Sequence, residues 1–291
     1  MRKNSANLKS GWSEQRQFQP RKPPALRAEV TAQAQQKRQG FLLLLVVPRS
    51  PYPEAPLKSG QIRPESPRWG RDSALPPKRA HSPSYKKEYK EFYLPPRTPG
   101  IVTVPAMNFL AVRGQGDPNE EGGTYKQALE LLYAVAYTIK MSKLGKHKLE
   151  GYFDYVVPPL EGLWWQEDTQ GVDYSRKADF RWISLIRLPE FVTKEAFDWA
   201  IREDTEKKQR DFSKVEFFSW EEGLCVQCMH IGPYDDEPTT VAAMDEYARF
   251  QGCELDFSQG RFHHEIYLSD IGRTKPEKLK TVIRQPIKRA E

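Results

Sequence analysis

Cysteine is scarce in this chain of 291 residues: there are three, Cys225, Cys228 and Cys253. Three clustered thiols do not make the framework of a disulfide-stapled secreted domain, so a reducing cytoplasm is the expected compartment. Long apolar runs are missing too. The only candidate, Phe41 to Val47, has 7 residues, where a membrane-spanning helix needs roughly 20. It also makes a poor secretion signal. A basic leader of 40 residues precedes it and Pro48-Arg49 follow it, whereas such signals total roughly 15–30 residues and end on small side chains.

Evenly spread charge is the third absence. The net charge is +6, but residues 1–84 hold 16 of the 45 Lys and Arg and only 5 of the 39 Asp and Glu. The first 84 residues therefore carry +11 and residues 85–291 carry −5. Half of the 24 prolines also fall in 1–84. This excludes a single uniformly basic nucleic-acid domain. With no apolar period longer than a turn, residues 1–84 are predicted to be a disordered tail or an over-extended translation start. The alternative, a basic arm for nucleic acid or membrane, lacks the paired amphipathic helices of a helix-turn-helix. Neither is an expected partner.

Residues 85–291 are rich in Trp, Tyr and Phe and punctuated like a folded domain. Val102 to Gly114 is apolar and β-branched, a strand broken by Gly114-Gln115-Gly116-Asp117-Pro118. Tyr125, Leu129, Leu132, Tyr133 and Ala136 recur at helical spacing up to Gly145. Tyr152 to Val157 reads as a strand stopped by Pro158-Pro159, and Phe180 to Leu188 as another stopped by Pro189. Thr193 caps a helix with Ala196, Phe197, Ala200 and Ile201 on one face. Val215 to Trp220 and Leu224 to Ile231 read as a hairpin turning at Glu221-Glu222-Gly223. Val241, Met244 and Ala248 mark a helix; His263 to Leu268 and Thr281 to Ile287 are strands. A faint echo between Phe109–Gly116 and Val226–Gly232 suggests an α+β duplication around a shared sheet, with a cleft between the halves.

Three attractive motifs carry nothing. In a continuous strand, Cys225 and Cys228 point to opposite faces and cannot share a metal. Gly114-Gln115-Gly116 lacks the third glycine of a dinucleotide loop, since Asn119 stands there. His263 and His264 also point apart. No metal and no cofactor are expected.

The most specific text is His230-Ile231-Gly232-Pro233-Tyr234, then His264-Glu265-Ile266-Tyr267-Leu268-Ser269-Asp270, then Leu279-Lys280-Thr281-Val282-Ile283-Arg284 with Pro286. This resembles the GyrI-like small-molecule-binding family, related to the effector-binding domains of multidrug-responsive regulators. Gly114 to Asn119 and Leu160 to Trp165 look like its stand-alone branch. The resemblance covers about Lys86 to Lys288. It implies tandem βαββ repeats with pseudo-two-fold symmetry around a central ligand cleft. Cleft aromatics would hold flat, often cationic compounds, and a buried glutamate, falling on Glu265, would supply counter-charge. Some stand-alone members are similar to hydrolases that open the cyclopropane of DNA-alkylating natural products, a detoxification.

Strand period supports Glu265 independently. Ile266, Leu268 and His264 share one face of their strand, and Glu265, Tyr267 and His263 the other. If the first is core, Glu265 faces a cleft or solvent. Aromatic neighbours would raise its pKa, making it a counter-ion or a general base. Phe153 and Tyr155 share a face of one strand, Phe180 and Trp182 of another, with Trp164-Trp165 between. Large rings are often plain core, but they also stack on flat or cationic ligands. The expected catalytic residues are Glu265 and Tyr155, the latter as proton donor; Trp164, Trp182, Tyr267 and Phe153 are expected to line the ligand, and Trp165 to pack. Three functions stay open: a cyclopropanoid hydrolase, a passive binder of planar or cationic molecules, and an interaction protein that blocks a target such as gyrase.

Overall fold

The computed structural model describes residues 84–258 and 260–290. The tail expected over 1–84, Ser84 apart, lies outside them. Two single-turn helices, α1 (Tyr85–Glu88) and α2 (Lys90–Tyr93), lead into strand β1 (Gly100–Gln115). Then come α3 (Thr124–Met141), β2 (Leu160–Trp165), β3 (Arg181–Arg187), α4 (Lys194–Lys208), β4 (Glu216–Ile231), α5 (Glu237–Phe250), β5 (Cys253–Leu255), β6 (His263–Tyr267) and β7 (Lys280–Arg289). All strand pairings are antiparallel, in the order β4-β1-β3-β2-β6-β7. Because β4 also pairs with β7, these six strands close on themselves, and β5 pairs with the last residues of β7. Closure supplies both hydrogen-bonding edges of each strand with a partner.

The alternation read from the sequence sets which face meets which layer. Leu110 and Val112 of β1, Trp164 of β2 and Tyr267 of β6 pack in one cluster with α3 and α4. Val226 and Cys228 of β4 and Ile283 and Ile287 of β7 pack with Met244 and Ala248 of α5. The opposite, helix-free faces gather Phe109, Ala111, Leu163, Ile183 and Leu185. The cap at Thr193 forms as expected: its side chain accepts from the Ala196 amide at 3.3 Å.

Two expected elements differ. Glu221-Glu222-Gly223 is not a turn, because β4 runs straight through it. One edge of β4 pairs with β1 from Glu216 to Gln227 and the other with β7 from Cys225 to Ile231, so a partner supports its whole length. Gly223 still uses its freedom, with φ at +73°, as a kink inside the strand rather than a reversal. The β1–β4 ladder skips Pro105, which has no N–H to give, opposite buried Glu222. The second difference is Tyr152 to Val157, which is not a strand. It has no partner strand; instead Tyr152 Oη donates to the Lys140 carbonyl at 2.8 Å, and Lys140 Nζ donates to the Tyr155 carbonyl. The ordered strand there is β2, which starts just after Pro159.

Candidate functional site

β6 carries the chemistry, and its two faces divide as the alternation requires. Glu265, Tyr267 and His263 share the helix-covered face; His264 and Ile266 share the other. Both faces are buried. Glu265 is 3% exposed, so it faces neither solvent nor an open cleft, contrary to the expectation. The cause is a set of rings laid over this face: Tyr125 of α3 against Trp164, Tyr174 against His263 and Tyr234 against Tyr267.

The Glu265 carboxylate is pinned from two sides. Tyr267 Oη donates to Oε2 at 2.7 Å, and His263 Nε2 donates to Oε1 at 3.0 Å. Tyr267 in turn accepts from Trp164 Nε1 at 3.0 Å. Around them, Tyr125 of α3 lies 5.4 Å from Trp164 and edge-on to Trp182 at 5.0 Å, and Tyr234 meets Tyr267 edge-on at 5.8 Å. Trp182 Nε1 is buried with no hydrogen-bond partner, an orphan that costs about 1–3 kcal/mol until something accepts from it. Burial pushes Glu265 upward, but the hydrogen bonds from His263 and the Tyr267 phenol outweigh it and hold the carboxyl below its usual range. Tyr267 is driven well above the ordinary phenol range, by burial first and then by the Glu265 charge, and stays a donor.

The sequence does not mark Glu237, the first residue of α5, yet it lies in the same group. Glu237, His263 and Glu265 each bring one ligand atom within 4.8 Å of the others, and all three are buried. Burial, then the Glu265 charge, pushes Glu237 well above the carboxylate range. A depression of about 330 Å³ lined by Tyr174, Val241, Asp245, Phe257, His263 and Gln285 approaches this group from outside.

Glu265, Tyr267, Trp164 and Trp182 are thus brought together. Tyr155 and Phe153 are not. Tyr155 is buried with Ile266 and Val282, and Ile266 lies on the opposite face of β6 from Glu265. Phe153 is 37% exposed and packs edge-on against Tyr155 and Phe191. Both followed from a strand at 152–157 that does not form, so Tyr155 is not the donor beside Glu265. Trp165 packs on Phe262.

Behind β6 lies a second polar group. His264 Nδ1 and Nε2 each face a carboxylate at 3.0 Å, Glu222 and Glu161. Arg284 reaches Glu222 at 2.9 Å, and Tyr93 Oη donates to Glu161 at 3.0 Å. Every carboxylate oxygen is partnered and the formal charges cancel, which reads as a structural network beside a narrow recess lined by Phe92, Met107 and Trp220. Its partners come from five elements, beyond the reach of local motifs.

The GyrI-like small-molecule-binding domain matches residues 97–288. The chain belongs to this family. A Listeria innocua hydrolase of known structure is 46% identical, with a TM-score of 0.66, covering 71% of this chain and 100% of its own. Another Listeria innocua hydrolase is 45% identical (TM-score 0.64; 70% and 99% covered). An uncharacterized conserved Listeria innocua protein is 47% identical (TM-score 0.66; 70% and 99%). No curated protein sequence matches. The family makes this a small-molecule-binding domain, and no helix among the described residues is long and apolar enough to cross a membrane.

Proposed function

We propose that the domain binds planar aromatic or cationic small molecules against Trp164, Trp182, Tyr125 and Tyr267, and that it hydrolyses cyclopropanoid genotoxins with Glu265 as the base. The observation that carries this is a buried carboxylate pinned by two donors inside an aromatic shell. Such a group is held in one position and kept anionic, as a base toward water must be. The likeness to two Listeria hydrolases over nearly their whole length supports it.

The expected tandem βαββ repeat, with pseudo-two-fold symmetry, is part of the same proposal, and element order is what supports it: β1 leads through α3 to β2 and β3, and β4 leads through α5 to β6 and β7, with the short β5 added in the second half. Gly162 of β2 pairs directly with Glu265 of β6.

In this structure the rings close over the carboxylate, so a flat ligand must part them. Incubating the protein with a neutral cyclopropanoid and following its ring-opened product tests the reaction. Glu265→Gln keeps the shape and removes the base, so turnover should fall on the order of a hundredfold or more while neutral aromatic binding persists. Wild-type turnover that survives this change refutes the base. No turnover in wild type, with cationic dye affinity lost in Glu265→Gln, supports a passive binder instead.

A further inference from the structure

Glu237 is fully buried, and its Oε2 accepts from Tyr174 Oη at 3.3 Å. No full hydrogen bond reaches its Oε1, and the buried Thr281 hydroxyl is the donor nearest this carboxyl besides Tyr174. The group beside it is the Glu265 carboxyl, an oxygen of each lying within 4.8 Å of the other, and a hydrogen bond between them needs a proton on one of the two. The His263 ring and the Tyr267 phenol aim at Glu265. Gln285 Nε2 lies 2.9 Å from His263 Nδ1; with this amide nitrogen assigned as the donor, the ring proton is assigned to Nε2, directed at Glu265. Two buried anions would otherwise face each other with no cation between them, an arrangement strongly disfavoured away from water. A proton on Glu237 removes one charge and occupies the orphan oxygen. A divalent metal would also neutralise the pair, but it needs a lone pair on His263 Nε2, where the Gln285 hydrogen bond puts the proton.

We propose that Glu237 is the acid of an acid–base pair in which Glu265 is the base. This rests on the hydrolytic reading and gives it the donor that Tyr155 cannot be. Water attacks the cyclopropane carbon, and Glu265 takes a proton from it as the C–O bond forms. The ring C–C bond breaks, and its electron pair moves through the conjugated chromophore to the carbonyl oxygen, which takes the proton of Glu237. The product is substrate plus one water. Glu265 then holds a proton and Glu237 none, and one transfer between the two carboxyls restores the resting state. Two carboxyls whose proton affinities are pushed apart by their surroundings are suited to this division of labour.

Two measurements test it. The infrared difference at neutral pH between wild type and Glu237→Gln should contain the carbonyl band of a protonated carboxyl. Turnover of a neutral cyclopropanoid against pH should be bell-shaped in wild type. Glu237→Gln should lower kcat about a hundredfold and abolish the alkaline limb; Glu265→Gln should abolish the acidic limb, and a residue that only holds the fold would shift neither limb selectively. Absence of the acid band overturns the proton assignment. Full activity with an unchanged alkaline limb in Glu237→Gln overturns the donor role. Zinc or manganese kept through dialysis by wild type and lost from both Gln variants would put a metal in place of the proton and overturn the pair. If the acid band is present but wild type opens no cyclopropane, the hydrolytic reading fails, and the donor role with it.

Discussion

His264 has a carboxylate at each ring nitrogen, so both nitrogens must donate and the ring must be an imidazolium. Burial works against that charge, but Glu222 and Glu161 overcome it and push the pKa from 6.5 up to about 9. A histidine raised in the folded state contributes stability that is whole below about pH 6.5 and is lost as pH climbs through about 9. Glu222 has the opposite sign: despite burial, His264 and Arg284 bring it down to about 2. Its contribution is present above about 4.5 and is lost as pH falls toward 2. The thermal midpoint should therefore drop between pH 6.5 and 9, and the His264 ring proton signals should titrate near 9; titration near 6.5 would show that the network does not form. In the sequence His264 could only be assigned a face. Its partners lie 42 and 103 residues away, and no local pattern encodes such pairings. Glu265 was legible because its face, its neighbour Tyr267 and the surrounding motif all fall within one strand. Glu237 was not, because a carboxylate at a helix start is the ordinary choice for such a position.

Strand β2 shows how an element can be readable in its rings and hidden in its backbone. Trp164 and Trp182 stand out as aromatic signals, yet their placement depends on two glycines. A Cβ at Gly162 would lie 2.5 Å from Trp164 Nε1 and 3.1 Å from Tyr267 Oη; one at Gly114 would lie 2.2 Å from the Trp182 ring. Gly162→Ala should therefore break the Trp164–Tyr267 hydrogen bond and cost about 1–3 kcal/mol as overpacking. It should weaken binding of a neutral aromatic ligand, measured by tryptophan quenching. Gly100→Ala, which meets nothing within 4 Å, is the control and should leave both stability and binding unchanged. The misread hairpin and the misread strand at 152–157 share one cause. Turn residues and β-rich composition are local signals, whereas a strand exists only where a partner edge is offered. Glu221-Glu222-Gly223 has the edge of β1 beside it; Tyr152 to Val157 has none.

The whole closed sheet depends on segments far apart in the chain. α1 and α2 belong to it as much as the strands do: Arg284 reaches the Phe92 carbonyl at 2.5 Å, Gln227 donates to the Glu91 carbonyl at 2.7 Å, and Arg187 stacks on Tyr85 and Tyr89. A chain beginning at Ser84 should keep its thermal midpoint within a few degrees, whereas one beginning at Pro99 should lose several more, read by thermal unfolding. An equal loss in both would show that residues before 84 contribute to the fold. The closing seam has a further consequence. β4 pairs with β7, the last strand to leave the ribosome, so the ring cannot shut until residues 280–286 are free to reach 225–231. Until then the aromatic faces built by β1, β2 and β3 wait in the open, and so many late, long-range pairings make for slow, aggregation-exposed folding. The same aromatic side chains that close over Glu265 in the finished domain are exposed apolar surface on the nascent chain until that seam forms.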